Sequence, residues 1–435
     1  MIEKMVECTV VTHMFSKEIS TNKDGSISSG TSFELRPQSV KGVLHYWFRA
    51  VAPRVIDITK LNLQNAPKSQ REEIEKTYGK SKYPGLMYFE ELLFGSQKQK
   101  APFSISVSYD KNSQNLQRLP VNPNNDLNLG NYAHKYALYG LTYKLNKQDR
   151  EEYLVEHLKP GNKINLEFLV QDEETWNAIL SLLKLVSVLS GFGAKTTKGF
   201  GEFEIVKFTG QKQGETFNRN LYLNEQNIEK LILEVKKALE EFIGKKDKYS
   251  LLVLGETKSE VDYPNLLKEN YVLKKVINEV NDFSFLLSKL YSTNPKNLGW
   301  YKRLKKSIRY INGKDGYKEL KFIAQNPNKK ISILNLGITG LPVQYRDMKD
   351  KKNMKIFPKL PWKDEDGRKT SVVRILISKS NNKYSAYALF LKSKITENDE
   401  VIVESDYTNQ KTVVKIDQAK ILEKIKELIK TENKS

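Results

Sequence analysis

Residues 191–201 read Gly-Phe-Gly-Ala-Lys-Thr-Thr-Lys-Gly-Phe-Gly and directly follow a largely apolar segment, 179–189. Glycine permits positive φ angles and leaves backbone N–H groups open to close approach. Lys195 and Lys198 add positive charge, and the two threonines between them add hydroxyl donors. A helix end followed by a tight turn would explain one or two of the glycines. We therefore predict that this loop follows a helix, lies at the surface and binds phosphate groups.

The loop does not fit the two common nucleotide-binding motifs. Gly191-x-Gly193 is followed by Thr196 where the dinucleotide fingerprint requires glycine, and a helix rather than a strand is predicted before it. The segment 79–81, Gly-Lys-Ser, imitates the end of a P-loop, but Ile74 occupies the first glycine position. No cofactor is predicted.

The charge balance favours a polyanionic partner. The chain carries 72 lysine and arginine residues against 52 aspartate and glutamate residues, a formal net charge of +20. Only twelve of the basic residues are arginine, so the excess is mostly lysine. We predict nucleic acid as the partner. A lysine-rich proteome, in which the lysines only solvate the surface, is the alternative explanation.

Cysteine and histidine usage narrows the chemistry. Cys8 is the only cysteine, so neither an intrachain disulfide nor a cysteine-based zinc site is expected. The four histidines do not lie at metal-ligand spacing, and no metal is predicted. Residues 1–11 are charged, unlike a signal peptide, and no stretch approaches the roughly 18 apolar residues of a membrane span. We therefore expect a cytoplasmic protein that contacts no membrane.

Hydrophobic periodicity predicts alternating strands and helices in the first half of the chain. Ser39 is expected to cap a helix with a 3.6-residue apolar period, and Pro53 is expected to end it. The predicted elements are strand 5–15, helix 39–53, helix 86–94, strand 102–108, strand 163–170, helix 173–190 and strand 202–208. Apart from the short second helix, this is the β-α-β-β-α-β order of a ferredoxin-like (split βαβ) fold, which RNA-recognition modules share.

The second half repeats this pattern more loosely after a polar boundary at 209–224. Its predicted elements are helix 225–243, strand 249–254, helices 262–292 and 300–311, strands 372–378 and 384–392, and helix 416–431. We therefore predict an α+β fold with two ferredoxin-like, RRM-like domains, 1–210 and 211–435. The second domain is expected to contain helical insertions.

Two further segments carry basic residues in suggestive positions. In 33–50, Arg36 and Lys41 flank a predicted helix start, a typical anion site, although an amphipathic helix with a solvated basic face is the simpler explanation. In 300–310, lysine and arginine alternate with tyrosine and tryptophan, as in single-strand binding, although aromatics at helical spacing more often belong to a core. His13 or His45 could act as a general acid or base near neutral pH.

These segments resemble signatures of the RAMP superfamily of CRISPR effector proteins. Residues 36–50, Arg-Pro-Gln-Ser-Val-Lys-Gly-Val-Leu-His-Tyr-Trp-Phe-Arg-Ala, resemble its "RPxSxKGxLRxWxRA" run, and the aromatic pair is similar to the first subunit of type III-B (Cmr) complexes. Four other segments resemble further elements of that superfamily: 91–96, 136–140, 191–201 and 368–377. His45 and the Lys-Thr-Thr-Lys core of the loop depart from arginine-rich patterns.

The resemblance implies two ferredoxin-like domains and a non-catalytic, RNA-binding subunit of an antiviral ribonucleoprotein. Such a subunit would contact the guide RNA near its 3′ end, the target single-stranded RNA and other Cmr subunits, while other subunits cut the target. The residues that the resemblance places against RNA are Arg36, Lys41, His45, Arg49, Gly191, Gly193, Lys195, Thr196, Thr197, Lys198, Gly199, Arg368 and Arg374.

Two alternatives stay open at this point. A metal-independent endoribonuclease of the same superfamily would process the guide precursor with His13 or His45 as the general base. A structural scaffold would instead use its basic face to bind an acidic partner protein.

Overall fold

The structure, a computed structural model, describes most of the chain. The described residues are 1–21, 27–112, 116, 126–128, 130–144, 152–212, 216–311, 313–329, 333–341, 343–347, 349–359 and 370–431, with the backbone alone at 19–21 and 27–29. Arg368, one of the predicted RNA-binding residues, lies outside them. No described helix is long and apolar enough to cross a membrane.

The first part of the chain alternates strands with helices. Its strands are β1 (Ile2–Val10), β2 (Lys17–Thr21), β3 (Ile27–Phe33), β4 (Ile56–Leu61), β5 (Phe103–Tyr109), β6 (Thr142–Tyr143), β7 (Tyr153–Leu154), β8 (Lys163–Val170) and β9 (Phe203–Phe208). Its helices are α1 (Pro37–Val55), α2 (Lys68–Tyr78), α3 (Pro84–Phe94), α4 (Tyr132–Ala137) and α5 (Glu173–Leu189).

An antiparallel sheet in the order β5-β8-β1-β9 organises this part of the chain. The inward residues Val6, Cys8 and Val10 of β1 are buried, in the same apolar core as residues of α1 and α5. Read along the chain as β1, α1, β5, β8, α5 and β9, these elements follow the predicted β-α-β-β-α-β order. The strand order is that of the split βαβ arrangement.

The remaining elements follow residue 210. The helices are α6 (Glu225–Lys246), α7 (Phe283–Tyr291), α8 (Trp300–Ile308), α9 (Gly316–Gln325) and α10 (Gln418–Thr431). The strands are β10 (Leu252–Leu254), β11 (Tyr271–Val280), β12 (Tyr310–Ile311), β13 (Lys314–Asp315), β14 (Val343–Arg346), β15 (Asn353–Pro358), β16 (Val373–Ser380), β17 (Lys383–Leu391), β18 (Glu400–Ser405) and β19 (Lys411–Lys415).

The predicted helix over 262–292 is wrong, because its middle forms strand β11. This strand pairs with β17, which pairs in turn with β16. The local sequence mixes lysine and leucine with valine and isoleucine, so it does not decide between helix and strand. Pairing with a distant strand decides it. Periodicity had not indicated any of the four strands of the other long sheet, β14-β15-β18-β19. Strand β10 pairs with β4, an element of the first half.

Helix α1 begins two residues before Ser39, so the prediction that Ser39 caps it is wrong. The helix starts at Pro37, and Arg36 takes the N-cap position. Proline suits this place because the first N–H groups of a helix have no partner within it. Pro53 lies inside the last turn rather than ending the helix, and the Thr257 N–H donates to its carbonyl oxygen at 2.8 Å. This contact, distant in sequence, satisfies one of the last carbonyl oxygens of the helix, which have no partner within it.

Two apolar cores run through both halves of the chain. The first joins the β1 sheet to α1, α3, α5 and α6, and the second surrounds α4, α7, α8, α9 and α10. Alternate residues of β16 face the two cores: Leu376 belongs to the first and Ile375 to the second. Phe15 and Phe200, from the first half, are buried in the second core. The boundary at residue 210 stays a prediction, and the two halves pack closely.

Candidate functional site

The loop over residues 191–201, called the glycine loop below, connects α5 to β9. Its glycines are explained by close packing inside the protein. Gly193 has a φ of 87°, and a Cβ there would collide with the Phe15 carbonyl oxygen. At Gly201, with a φ of 75°, a Cβ would collide with the Phe192 carbonyl oxygen. At Gly191 a Cβ would collide with the Gly201 carbonyl, and Gly199, with a φ of 82°, packs against the Ile377 side chain. The number of glycines is therefore a consequence of packing and does not by itself indicate a phosphate site.

Many backbone N–H groups of the glycine loop are already used within the protein. That of Phe192 donates to the Gly201 carbonyl and that of Gly201 to the His13 carbonyl, both at 2.9 Å. The N–H groups of Thr196 and Thr197 donate to none of the described residues. The same holds for the N–H groups of Gly191, Gly193 and Lys195, so packing uses about half of the backbone donors of the loop and any anion binding would combine the rest with its side chains.

Lys198 is turned inward against helix α4. Its Nζ donates to the carbonyl oxygens of Tyr136 at 2.9 Å and Ala137 at 3.4 Å, and it lies 4.5 Å from the centroid of the Tyr136 ring. The Tyr291 hydroxyl donates to the Lys198 carbonyl at 2.9 Å. Burial, followed by the charges of nearby lysines, lowers the pKa of Lys198 to about 7. Lys198 is therefore a recessed lysine whose charged form is poorly stabilised.

Helix α8 brings two more lysines to the same tyrosine ring. Lys302 Nζ lies 3.6 Å from the Tyr136 centroid, and Lys305 Nζ lies 5.9 Å from it. The aromatic residues of α8, Trp300 and Tyr301, are buried, so the simpler interpretation of these aromatics as core is correct. The lysines of this segment remain partly exposed. Helical amphipathicity thus separates the two residue types, with aromatics inside and lysines at the surface.

We call Lys195, Lys198, Lys302, Lys305 and Tyr136 the lysine–tyrosine cluster. Among the described residues, no carboxylate lies within 4.0 Å of any of its four ammonium groups. Burial and the charge of Lys305 lower the pKa of Lys302 to about 8, and burial and Lys17 lower the pKa of Lys195. Burial and neighbouring lysines thus disfavour the protonated forms of Lys198 and Lys302, which a bound anion would stabilise. Lys305 differs, because Tyr301 and Tyr136 raise its pKa despite its burial.

The predicted RNA-binding residues on α1 are occupied by contacts with α3 and its C-terminal end. Lys41 Nζ donates to the Phe94 carbonyl at 2.9 Å. His45 Nε2 lies 3.3 Å from Glu90 Oε1, and Arg49 Nη2 donates to Glu90 Oε2 at 2.9 Å. The remaining predicted cation of this segment, Arg36, is half-buried and 4.0 Å from the Glu34 carboxylate. Arg36, His45 and Arg49 thus face carboxylates, unlike the lysines of the lysine–tyrosine cluster, whereas Lys41 bonds only to a carbonyl oxygen, as Lys198 does.

Arg374 is a packing residue that joins three elements. It is 5% exposed, and its Nη2 donates to Ser190 Oγ at 3.0 Å and Thr196 Oγ1 at 3.4 Å. Its guanidinium also lies over the rings of Tyr46 and Trp47 on α1. The structure therefore brings Arg374 to the glycine loop, as the predicted site requires, but directs it into the protein.

A buried ion pair beside the glycine loop was not identified from the sequence. Glu202 and Arg219 form a salt bridge in which both side chains are fully buried. Arg219 Nη1 donates to the Ile377 carbonyl at 3.1 Å, and the Ile377 N–H donates to Glu202 Oε1 at 3.2 Å. Burial raises the pKa of Glu202 to about 7. The pair ties the start of β9 to β16, and no local pattern joins residues so distant in sequence.

The two candidate general bases differ in access. His13 is 3% exposed, and neither ring nitrogen has a hydrogen-bond partner among the described residues. Burial, followed by His157 and Lys159, lowers its pKa well below the usual value. His45 is partly exposed and packs on Phe94 at 4.6 Å between ring centroids. Of the two, only His45 reaches the surface in this conformation.

The outer face of the β1 sheet does not resemble an RNA-recognition surface. RNA-recognition modules stack bases on aromatic residues of this face. The outward positions of the four strands carry no aromatic residue; they are Glu3, Met5, Glu7, Thr9, Ser104, Ser106, Ser108, Lys163, Asn165, Glu167, Leu169, Glu204 and Val206. The lysine–tyrosine cluster is therefore the better candidate for a nucleic-acid interface.

Comparison with known proteins points to one superfamily. Residues 8–204, less than half of the chain, match the model of the RAMP superfamily. This confirms the resemblance seen in the motifs of the first half.

The apo crystal structure of Cmr1 from Pyrococcus furiosus has the same fold. Its TM-score is 0.51 at 14% identity, over 99% of this chain and 97% of that chain. A chain of the type III-B Cmr-beta complex bound to cognate target RNA and AMPPnP gives a TM-score of 0.46 at 14% identity, over 98% and 99% of the two chains. No curated protein matches the sequence.

Proposed function

We propose that this chain is the RNA-binding subunit of a type III-B CRISPR effector that corresponds to Cmr1. The RAMP match over residues 8–204 and the fold shared with Cmr1 support this assignment. The observation that carries the RNA-binding role is the lysine–tyrosine cluster, where uncompensated ammonium groups from two distant segments surround one tyrosine ring. Such a cluster favours phosphate, which supplies the missing negative charge.

In this proposal the protein binds the phosphate backbone of the RNA, and base pairing between guide and target determines which sequence is recognised. Contacts to phosphate fix position and orientation but carry no sequence information. The partners are the guide RNA near its 3′ end, the target single-stranded RNA and other Cmr subunits. The net charge of +20 would speed the encounter with RNA. The subunit itself cuts nothing.

The proposal includes two ferredoxin-like units. After residue 210, β11, α7, β16, β17 and α10 follow a β-α-β-β-α order, and their strands lie in the order β11-β17-β16. These are the first five elements of a split βαβ unit, in the matching spatial order. The described residues add no fourth strand to this sheet.

Fluorescence anisotropy with single-stranded RNA, duplex RNA and single-stranded DNA tests this function. The perturbation is Lys302→Ala/Lys305→Ala, since both residues are partly exposed on a helix and alanine keeps the helix. The matched control is Lys230→Ala/Lys237→Ala, which removes the same charge from exposed positions of α6. We expect the first variant to bind single-stranded RNA about 10–100-fold more weakly, with a salt slope lower by about 0.7 per lost phosphate contact.

The same titration separates the alternative functions. If both lysine variants bind RNA as tightly as the wild type does, the cluster is not the RNA site. That result would favour the structural scaffold. A gel run beside the titration reports the state of the RNA. Cleavage that persists in a chelator and is lost in His45→Ala would favour the endoribonuclease.

A further inference from the structure

The geometry of the lysine–tyrosine cluster limits the size of the anion that it can hold. The Nζ atoms of Lys198 and Lys302 lie 4.5 Å and 3.6 Å from the centroid of the same ring, so the two ammonium groups are at most about 8 Å apart. Lys305 is on the next turn of the same helix, 5.9 Å from that centroid. One phosphate group could therefore face several of these ammonium groups together.

The charges of the cluster favour a dianion over a monoanion. An internal phosphodiester carries one negative charge, whereas a terminal phosphate carries about −1.5 to −2 near pH 7. With three ammonium groups at one ring and Lys195 nearby, a single phosphodiester would leave most of the charge unmatched. A phosphomonoester compensates about 1.5 to 2 times as much positive charge within a similar volume.

The contacts of Lys198 favour the end of a strand over its middle. Its ammonium is bonded to the carbonyl oxygens of Tyr136 and Ala137, and its side chain is partly buried, as are those of Lys302 and Lys305. A continuous strand extends on both sides of any phosphate that reaches such a partly buried ammonium. A terminal phosphate extends on one side only, and it has an additional oxygen with which to accept hydrogen bonds.

We infer that the lysine–tyrosine cluster binds a phosphomonoester, the terminal phosphate of a single-stranded RNA, in preference to an internal phosphodiester. This inference rests on the proposed RNA-binding function and specifies the ligand chemistry of that site. The groups that face the bound phosphate are Lys195 and Lys198 of the glycine loop, Lys302 and Lys305 of α8, and Tyr136 of α4. The lowered pKa values of Lys198 and Lys302 support it, because a dianion would restore their protonation.

The test compares three RNAs of one sequence in the same anisotropy assay. One carries a 5′-phosphate, one a 3′-phosphate, and one hydroxyls at both ends. We expect one phosphorylated RNA to bind at least about fivefold more tightly than the hydroxyl form, which corresponds to roughly 1 kcal/mol, and inorganic phosphate to compete with it. Lys302→Gln/Lys305→Gln should abolish the preference, whereas Lys302→Arg/Lys305→Arg and Lys230→Ala/Lys237→Ala should retain it.

The possible failures of the two proposals are distinguishable. Equal affinity for all three RNAs in the wild type would overturn the terminal-phosphate inference, and the proposed function would stand if the glutamine variant weakened all three equally. If the glutamine variant bound all three RNAs as the wild type does, both proposals would be wrong. Circular dichroism checks that each variant is folded. The comparison of the three RNAs uses the wild-type protein alone, so it does not depend on the folding of any variant.

Discussion

Replacing Arg219 by methionine should destabilise the fold strongly, because it leaves Glu202 buried without its cation. Both side chains of the pair are 0% exposed, so water cannot replace the lost partner. Removing one member of a buried pair typically costs about 3–5 kcal/mol. The pKa of Glu202 is already about 7 and would rise further without Arg219, so the carboxyl would take up a proton. Because the neutral carboxyl is less costly to bury, the loss of unfolding free energy should lie near the lower end of this range. We therefore expect a loss of about 3 kcal/mol in the free energy of unfolding.

Urea unfolding at pH 7, followed by tryptophan fluorescence and circular dichroism, measures this loss. The double variant Glu202→Gln/Arg219→Met is the matched comparison, since it removes both charges and retains a polar partner for the Ile377 N–H. We expect the double variant to be more stable than Arg219→Met by about 1–3 kcal/mol, the usual coupling of contacting residues. A single variant within about 1 kcal/mol of the wild type would refute the argument.

The same pair gives a pH dependence whose sign can be derived. The pKa of Glu202 is about 7 in the folded chain, above its ordinary value of 4.5. Its contribution to stability is therefore complete below pH 4.5 and is lost as the pH rises through about 7. Between about pH 5 and 8 the wild type should lose more unfolding free energy than Glu202→Gln does, as urea titrations at several pH values would show.

Three other predictions concern the cluster, the loop and α1. RNA affinity should fall as the pH rises from about 6 to 9, because Lys198 and Lys302, with pKa values of about 7 and 8, lose their protons; anisotropy at constant ionic strength checks this. Gly193→Ala should lower stability by more than about 2 kcal/mol through collision with a neighbouring carbonyl, whereas Gly42→Ala, in open space on α1, should raise it by about 1 kcal/mol; urea unfolding compares them. Lys41→Ala should reduce stability rather than RNA affinity, because Lys41 bonds to a carbonyl of α3.

Local periodicity was sufficient for the elements of the β1 sheet. Strand 163–170 is found as predicted, and helix 173–190 ends one residue earlier, at Leu189. Helix 225–243 extends to Lys246, because Gly244 does not take the positive φ that often ends a helix and continues it instead. Strand β11 could not be recognised in the same way, because its partner β17 lies more than a hundred residues further along the chain.

The sequence predicted which segments form the candidate site, but not which residues those segments contact. The segments 191–201, 136–140 and 300–310 were each identified from the sequence, and the structure brings them together at Tyr136. Whether a lysine lies among other lysines depends on tertiary packing. Lys41 and Lys198 looked equivalent as sequence features, yet only Lys198 lies among other lysines.

The glycines and the lysines of the loop therefore have different roles that depend on each other. The glycines let the loop pack against Phe15 and the side chain of Ile377, and the Ile375 N–H donates to the Thr197 carbonyl at 3.0 Å. This packing fixes the loop beside β16 and directs Lys198 toward α4. Because α8 supplies the other lysines from the second half, the proposed anion site requires the two halves to be packed together. Variants of the Glu202–Arg219 pair should accordingly lose RNA affinity only to the extent that they separate the two halves, since neither residue of the pair belongs to the lysine–tyrosine cluster.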